Sequence, residues 1–163
     1  MKIRIAQTSD LDKCVAIDAP NFNIFDREKR RDHFVYMIPR GMMLVLELDS
    51  KIVGYATFHS DWFGCTFLKL VVTDLKFRRQ GIASRLIHHI EANHCPSGKL
   101  FSSTEADNEP SIRMHLQHGF RESGWLDNLP QPHREIFYFK QTSTQNVFQL
   151  PLEEIFPYDP DKA

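Results

Sequence analysis

Residues 68–87 read LKLVVTDLKFRRQGIASRLI. An apolar β-type run gives way to a short basic loop, and a helical pattern begins at Gly81. Ile82, Ala83, Leu86, Ile87 and Ile90 fall at i, i+1, i+4, i+5 and i+8, the stripe of an amphipathic helix with one face in a core. Ser84, Arg85, His88 and Glu91 fall mostly on the opposite face. The first turn of a helix has N–H groups without intrahelical partners, here those of residues such as Ile82, Ala83 and Ser84. With the positive end of the helix dipole they form an anion site. Gly81 and the small Ala83 let a bulky phosphate approach the backbone, and Lys76, Arg78 and Arg79 thicken the positive field. An arginine fork grips phosphate oxygens two at a time. The residues therefore point to a cradle for phosphate or pyrophosphate. The plainer reading of the same six residues, Arg78 to Ala83, is a glycine before a helix with solvated arginines beside it. A P-loop is excluded, because no Gly-Lys-Ser/Thr follows at the required spacing. The dinucleotide turn is excluded as well, because it needs three glycines and only Gly81 is present.

Outward from this segment, the pattern alternates. Met1–Ala6 reads as a short half-buried strand, with Ile3 and Ile5 set against Lys2 and Arg4. Thr8-Ser9-Asp10 supplies N-cap chemistry for a helix whose inward positions are Leu11, Cys14, Val15 and Asp18. A second helix is expected over Asp26–Ile38, with Phe34, Met37 and Ile38 inward, stopping before Pro39 and Gly41. Met42–Leu48 and Lys51–His59 flank Asp49-Ser50 as a hairpin, and Thr66–Thr73 is a largely apolar central strand. After the Gly81 helix, Lys99–Thr104 is a strand. Asn108 then caps a helix with Pro110 in its first turn, Ile112, His115 and Leu116 on one face, and Gly119 as its stop. Phe120–Trp125 and Arg134–Gln141 are the closing strands. The order β-α-α-β-β-β-α-β-α-β-β predicts an α/β fold of mixed α+β type. Its sheet is mostly antiparallel, flanked by helices, with one parallel crossover around residues 66–104.

Composition limits what such a domain can do. The chain has 163 residues with a formal net charge of -1, a balance that argues against gripping nucleic acid as the main task. The longest unbroken apolar runs, Phe34–Ile38 and Met42–Leu46, have five residues, where a membrane-spanning helix needs about 20. MKIRIAQTSD lacks the apolar stretch of a signal peptide. Cys14, Cys65 and Cys95 are odd in number and far apart, which reads as reduced thiols in the cytoplasm and not as a disulfide frame or zinc site. From about Thr142 the chain changes character, with three of the nine prolines and an acidic close. Residues 142–163 are expected to be an appendage whose VFQLPLEEIF stretch packs on the domain or on a partner. The domain proper is 1–141.

Arg78-x-x-Gly81-x-Ala83 after an apolar strand resembles the Q/R-x-x-G-x-G/A signature of the GNAT superfamily of N-acetyltransferases. A second block, Asn108-Glu109-Pro110-Ser111-Ile112-Arg113-Met114-His115-Leu116-Gln117-His118-Gly119-Phe120, looks like that family's N-x-x-A-x-x-x-Y-x-x-x-G-F helix. The element order matches as well, and the resemblance covers about residues 1–141. It implies a fold splayed between the strands at Leu70–Thr73 and Lys99–Thr104, with acetyl-CoA lying in the gap as cosubstrate. Its pyrophosphate would sit on Arg78, Arg79, Gly81, Ile82, Ala83 and Ser84, with Asn108 nearby. The amide of Val72 or its neighbour Val71 would polarise the thioester carbonyl. A small-molecule or peptide amine would attack directly, in a ternary complex. Ser111 stands where the family usually has Ala, and His115 where it usually has the Tyr that protonates the departing thiolate. Imidazole can donate a proton near neutrality; a hydrogen-bonded helix histidine bordering the core is the other reading. The strand 66–73 carries no carboxylate, which leaves Glu105, His59 or Asp61, or a water chain, to take the ammonium proton. Glu105 is the chosen candidate. A rival reading is a regulatory module that holds acyl-CoA without turnover.

The remaining features carry less. Arg27-Glu28-Lys29-Arg30-Arg31 reads as a solvated helix face. His88, His89, His94 and Glu91 do not place three ligands on one helix face, so no metal is expected. Trp62, Phe63 and Phe67 read as core or edge packing. The aromatic final hairpin and the tail offer a surface for a second copy, so a homodimer is among the expected partners, without nucleic acid or membrane.

Overall fold

The fold was analysed in a computed structural model that describes residues 1–18 and 27–142. The appendage expected over 142–163 therefore lies outside the described residues, apart from Thr142. The strands are β1 (Lys2–Ile5), β2 (Met43–Leu48), β3 (Lys51–Trp62), β4 (Cys65–Thr73), β5 (Lys99–Glu105), β6 (Arg121–Leu126) and β7 (Glu135–Gln141). The helices are α1 (Leu11–Asp18), α2 (Arg27–Met37), α3 (Ile82–Asn93) and α4 (Glu109–Gln117). The strands form one sheet in the order β1-β2-β3-β4-β5-β7-β6. Every neighbouring pair is antiparallel except β4 with β5, so the expected mixed sheet with one parallel crossover is found.

Local chemistry explains the elements. Asp49 and Ser50 both take positive φ, 48° and 62°, the conformation a two-residue hairpin needs to match strand twist. Asp10 does not cap α1 from outside. It closes a single 3-10 turn over Thr8–Asp10 by accepting from the Gln7 amide at 2.8 Å, and it also takes both terminal nitrogens of Arg4 at 2.6 and 3.0 Å. Arg4 reaches Glu47 of β2 as well, so one guanidinium ties β1, β2 and the start of α1 together. In α1, Leu11, Cys14, Ile17 and Asp18 are buried; Ile17 replaces Val15 among the inward positions expected from spacing. Gly41, at φ 67°, ends the turn that follows α2.

Helices cover both sheet faces. Leu44, Leu46, Val53, Ala56, Phe58, Leu68 and Leu100 form one core with Ile82, Leu86, Ile87 and Ile90 of α3. Each buried aliphatic of that stripe contributes about 1.5–3 kcal/mol. On the other face, Val45, Tyr55 and Val72 pack with Leu11, Cys14 and Ile17 of α1 and with Phe34 and Met37 of α2. Gly54 seats α3. A Cβ there would lie 2.6 Å from Ile82 Cγ2 and 2.9 Å from the Val72 carbonyl, so a bare backbone at this point lets the first turn of the helix rest on the sheet. No helix among the described residues is long and apolar enough to cross a membrane.

His33 of α2 packs over Thr57, with Nε2 3.4 Å from Oγ1. Burial, with Lys69, Arg30 and His59 nearby, pushes its imidazole down to about 4 from an ordinary 6.5. The unfolded chain takes up this proton near pH 6.5, whereas the folded chain waits until about 4, so the stability conferred by neutral His33 is complete above 6.5 and drains away between these values. Urea midpoints for the wild type should therefore fall more steeply over this window than those of His33→Asn; parallel slopes would mean that His33 protonates equally easily in both states.

A candidate acyl-donor site at the fork between β4 and β5

The parallel ladder between β4 and β5 is short. It pairs Thr66 with Leu100, Phe67 with Phe101 and Leu68 with Ser102, and no further. Beyond Leu68, β4 continues to Thr73 against β3 alone, and beyond Ser102, β5 continues to Glu105 against β7 alone. The strands at Leu70–Thr73 and Lys99–Thr104 thus part company at Leu68, leaving backbone groups of β4 without a strand partner on that edge.

A bulge decides which groups these are. Thr57 pairs with Leu70 but Phe58 pairs with Leu68, which leaves Lys69 as the extra residue and reverses the alternation of β4 beyond it. The Asp74 amide donates to the Val53 carbonyl of β3 at 2.9 Å. Alternation therefore turns the Val72 amide toward β3 as well, and the amides of Val71 and Thr73 toward the open edge. Of the two candidates for polarising a carbonyl in the fork, Val71 is the one with the right aspect.

The chain then crosses to α3. Asp74 accepts from the Lys76 amide at 2.9 Å, closing a turn over Leu75–Phe77. Arg79 has φ 66° and Gly81 φ 74°. Gly81 caps α3 without a side chain, and its carbonyl takes the first helical amide, that of Arg85, at 3.0 Å. No capping oxygen competes for the first-turn N–H groups. A Cβ on Gly81 would meet nothing within 4 Å, so the space before these amides is open. Arg78, Arg79 and Gln80 are exposed around it. Ile82 is buried and Ala83 half-buried. The Ser84 hydroxyl is already engaged: His118 Nδ1 lies 2.7 Å from the Met114 carbonyl and must donate, so the bare Nε2, 2.8 Å from Ser84 Oγ, accepts the hydroxyl proton. This leaves Ser84 only its backbone for an anion.

The second motif folds as α4. Asn108 caps it, with Oδ1 accepting from the Ser111 amide at 3.2 Å, and Gly119 leaves it at φ 79°. The buried stripe is narrower than spacing suggests: His115 is buried, but Leu116 is 56% exposed, because adjacent helical positions point about 100° apart. The structure places His115 behind the fork. It is 1% exposed, its ring stacks on Tyr138 at 4.5 Å, and neither nitrogen is vacant. Nδ1 faces the Ser111 carbonyl at 2.8 Å, and Nε2 faces the Ser102 hydroxyl at 2.8 Å. Burial holds this imidazole below its ordinary value.

Glu105 ends β5, half-buried, opposite Glu135 of β7. It can bring an oxygen within 4.8 Å of ligand atoms on Asp107 and His133, two exposed residues that pair with each other at 3.1 Å. His59 lies on β3 opposite Phe67, its imidazole lowered by burial, and Asp61 is exposed. Trp62 stands among Phe63, Phe67, Phe101 and Phe137 with ring centres 4.8–6.1 Å apart, whereas Phe63 itself is exposed. The three cysteines are free, and burial pushes the Cys14 thiol up to about 12 and that of Cys95 to about 11, which leaves both poor nucleophiles. Sequence reasoning missed Gly54, the Lys69 bulge and Ser102; only Gly54, a glycine inside a strand, carried a local signal.

Comparison with known proteins agrees with this geometry. The profile of the acetyltransferase (GNAT) family matches residues 11–120. A GNAT-family acetyltransferase from Bacillus cereus is 31% identical, over 88% of this chain and 98% of that one, with a TM-score of 0.77. The ribosomal-protein-alanine N-acetyltransferase from Brucella melitensis is 25% identical, over 86% and 99%, with a TM-score of 0.64. The yncA protein from Salmonella typhimurium, solved with its cofactor acetyl-CoA, is 19% identical over 91% and 98%, with a TM-score of 0.64; at that identity the likeness shows the fold alone. No curated protein sequence matches.

Gly81→Glu should weaken binding of CoA sharply while leaving the fold intact. A side chain at this φ costs about 1–2 kcal/mol, and a carboxylate facing a diphosphate repels it. Calorimetry should show affinity lower by about a hundredfold; an unchanged affinity would show that the diphosphate sits elsewhere.

Proposed function

Since the chain belongs to the acetyltransferase (GNAT) family, we propose that it transfers an acetyl group from acetyl-CoA to a primary amine by direct attack. The observation that carries this reading is the fork itself: an unpaired β4 edge that leads, through the turn at Asp74 and the basic loop, to an uncapped helix N-terminus. A long donor with a diphosphate at one end and a thioester at the other fits that path. Arg78, Arg79 and the amides of Gly81, Ile82, Ala83 and Ser84 would hold the diphosphate. Asn108, exposed at the start of α4, would border it. The open edge of β4 would pair with the amide-bearing arm, and the Val71 amide would face the thioester oxygen.

The chemistry then asks little of the side chains. An amine nitrogen attacks the carbonyl carbon, a C–N bond forms and the C–S bond breaks, the electron pair leaves on sulfur, and the proton shed by the nitrogen ends on the thiolate. A thiol of ordinary pKa, about 8.5, leaves without strong assistance. Alignment of two bound reactants can supply roughly 7–11 kcal/mol. The ammonium must first lose a proton, and Glu105, at the end of β5 beside Asp107 and His133, is the candidate to take it. A proton from His115 to the thiolate would have to pass through Ser102, because both of its ring nitrogens are engaged. That arrangement, with the lack of a carboxylate on β4, is what favours the rival reading of a module that holds acyl-CoA without turnover. The acceptor is a small-molecule or peptide amine. The similarity to the Brucella ribosomal-protein-alanine N-acetyltransferase puts an alanine amine among the first to try. We place the protein in the cytoplasm, acting without a resident metal, with a second copy of the chain as its candidate partner.

The test follows free thiol while the protein, acetyl-CoA and a panel of small amines and alanyl peptides are mixed. Thiol release well above the acceptor-free rate with at least one amine is expected. Saturable binding with no release across the panel would favour the holding module, and no binding at all would remove both readings.

A further inference from the structure

One part of the sheet is apolar on a side that no helix among the described residues covers. Cross-strand partners share a face, so Phe67, Phe101 and Phe139 point the same way, and alternation along β7 adds Phe137. Their neighbours Leu68, Leu100 and Tyr138 belong to the core under α3, which puts the phenylalanines on the opposite side. There, the core built with α1 and α2 includes no residue of β5, β6 or β7. Trp62 lies across the phenylalanines. Its ring centre is 5.0 Å from that of Phe67, 4.8 Å from Phe101 and 6.1 Å from Phe137, and Phe101 is 5.1 Å from Phe139. All of these rings are only half-buried. A contiguous apolar patch of this kind marks an interaction site.

The chain leads its own occupant to this patch. β7 ends at Gln141, opposite Lys99, and the Thr142 amide donates to the Gly98 carbonyl at 2.9 Å, so the chain departs from the rim of the aromatic face. Residues 143–146 then precede VFQLPLEEIF, residues 147–156. β4 lies two strands from β7 in the sheet, about 10 Å away. The steps from Thr142 to Val147 span up to about 17 Å, which suffices. The rim is cationic as well. Lys99 pairs with Gln141 and Arg121 with Phe139, so both border this face, and both are exposed. Glu153 and Glu154 stand inside the apolar run of the tail and match that charge. We infer that residues 147–156 lie in cis across the aromatic face of β4, β5 and β7, with Glu153 and Glu154 toward Lys99 and Arg121. So short a link gives the segment an effective concentration in the millimolar range, which a second copy at micromolar concentration does not match. The Bacillus cereus relative is covered over 98% of its length by 88% of this chain. A share of this chain about the length of the tail thus has no counterpart there, which fits a cover added to the family's domain. Nothing in this placement depends on the acyl-transfer reading.

Trp62 reports on this contact, because Trp125 is the only other tryptophan and can be replaced by Phe. In the full chain carrying Trp125→Phe, acrylamide should quench Trp62 slowly. Adding Phe148→Asp and Phe156→Asp should raise the quenching rate severalfold and shift the emission to the red, with the circular dichroism of the sheet unchanged. A second measurement needs no substitution and serves should that variant not fold. A carbodiimide should join the Lys99 amine to the carboxylate of Glu153 or Glu154 in the wild type, as read by peptide mass. In an equal mixture of chains with ordinary and heavy nitrogen, each joined pair should carry one isotope only. Quenching that ignores the two substitutions, or a Lys99 joined to no carboxylate of the tail, would overturn the inference. Pairs of mixed isotope, or protection of Trp62 that grows only as sedimentation shows dimers, would give the face to a second copy and overturn it as well.

Discussion

A parallel ladder that stops after three residue pairs is the constraint on which the rest of this molecule depends. β4 and β5 cannot be joined by a tight turn, because they run the same way, and the crossover between them must carry a helix. That helix starts at the end of β4 that has come away from β5. The opening of the sheet and the exposed amides of α3 are therefore one feature, produced by one connection. The bulge at Lys69 adds to it by turning the backbone of Val71 and Thr73 into the gap. Gly54 completes it by letting Ile82 settle against β3, so that the helix begins close to the strand whose edge it extends.

Open edges and uncapped helices are costly when nothing fills them, and the protein limits that cost where it can. At the last rung of the β4–β5 ladder, the Ser102 hydroxyl donates to the Leu68 carbonyl at 2.9 Å. At the start of α3, Ser84 and His118 satisfy each other and join α3 to α4. The arrangement is consistent with a site assembled mainly from backbone, in which side chains set the positions of amides and carbonyls more than they take part in bond making.

Much of this was legible in the order of residues. The stripe from Ile82 to Ile90, the Asp49-Ser50 turn, the cap at Asn108 and the stop at Gly119 are local signals, and each stands where its own chemistry requires. What was not legible depends on contacts across the sheet. Whether Val71 or Val72 faces the fork is decided by one extra residue in β4 relative to β3, which no reading of β4 alone can show. Leu116 looked inward by spacing, but α4 buries too narrow a stripe to include it. His115 stood in a position that suggested proton transfer. Its partners, Ser102 and Tyr138, come from strands 13 and 23 residues away, and only the fold reveals that its nitrogens are occupied. Ser102 itself sits in a strand with no motif around it.

The central claim is that the amides at the start of α3 receive the diphosphate of an acyl donor whose arm fills the fork. A crystal structure of the protein grown with CoA addresses it most directly. The account predicts density for the two phosphates in front of Gly81, Ile82 and Ala83, with the arm running along β4 toward Leu68. Density for CoA at another place, or a fork closed by β4 and β5 pairing beyond Leu68 and Ser102, would contradict it.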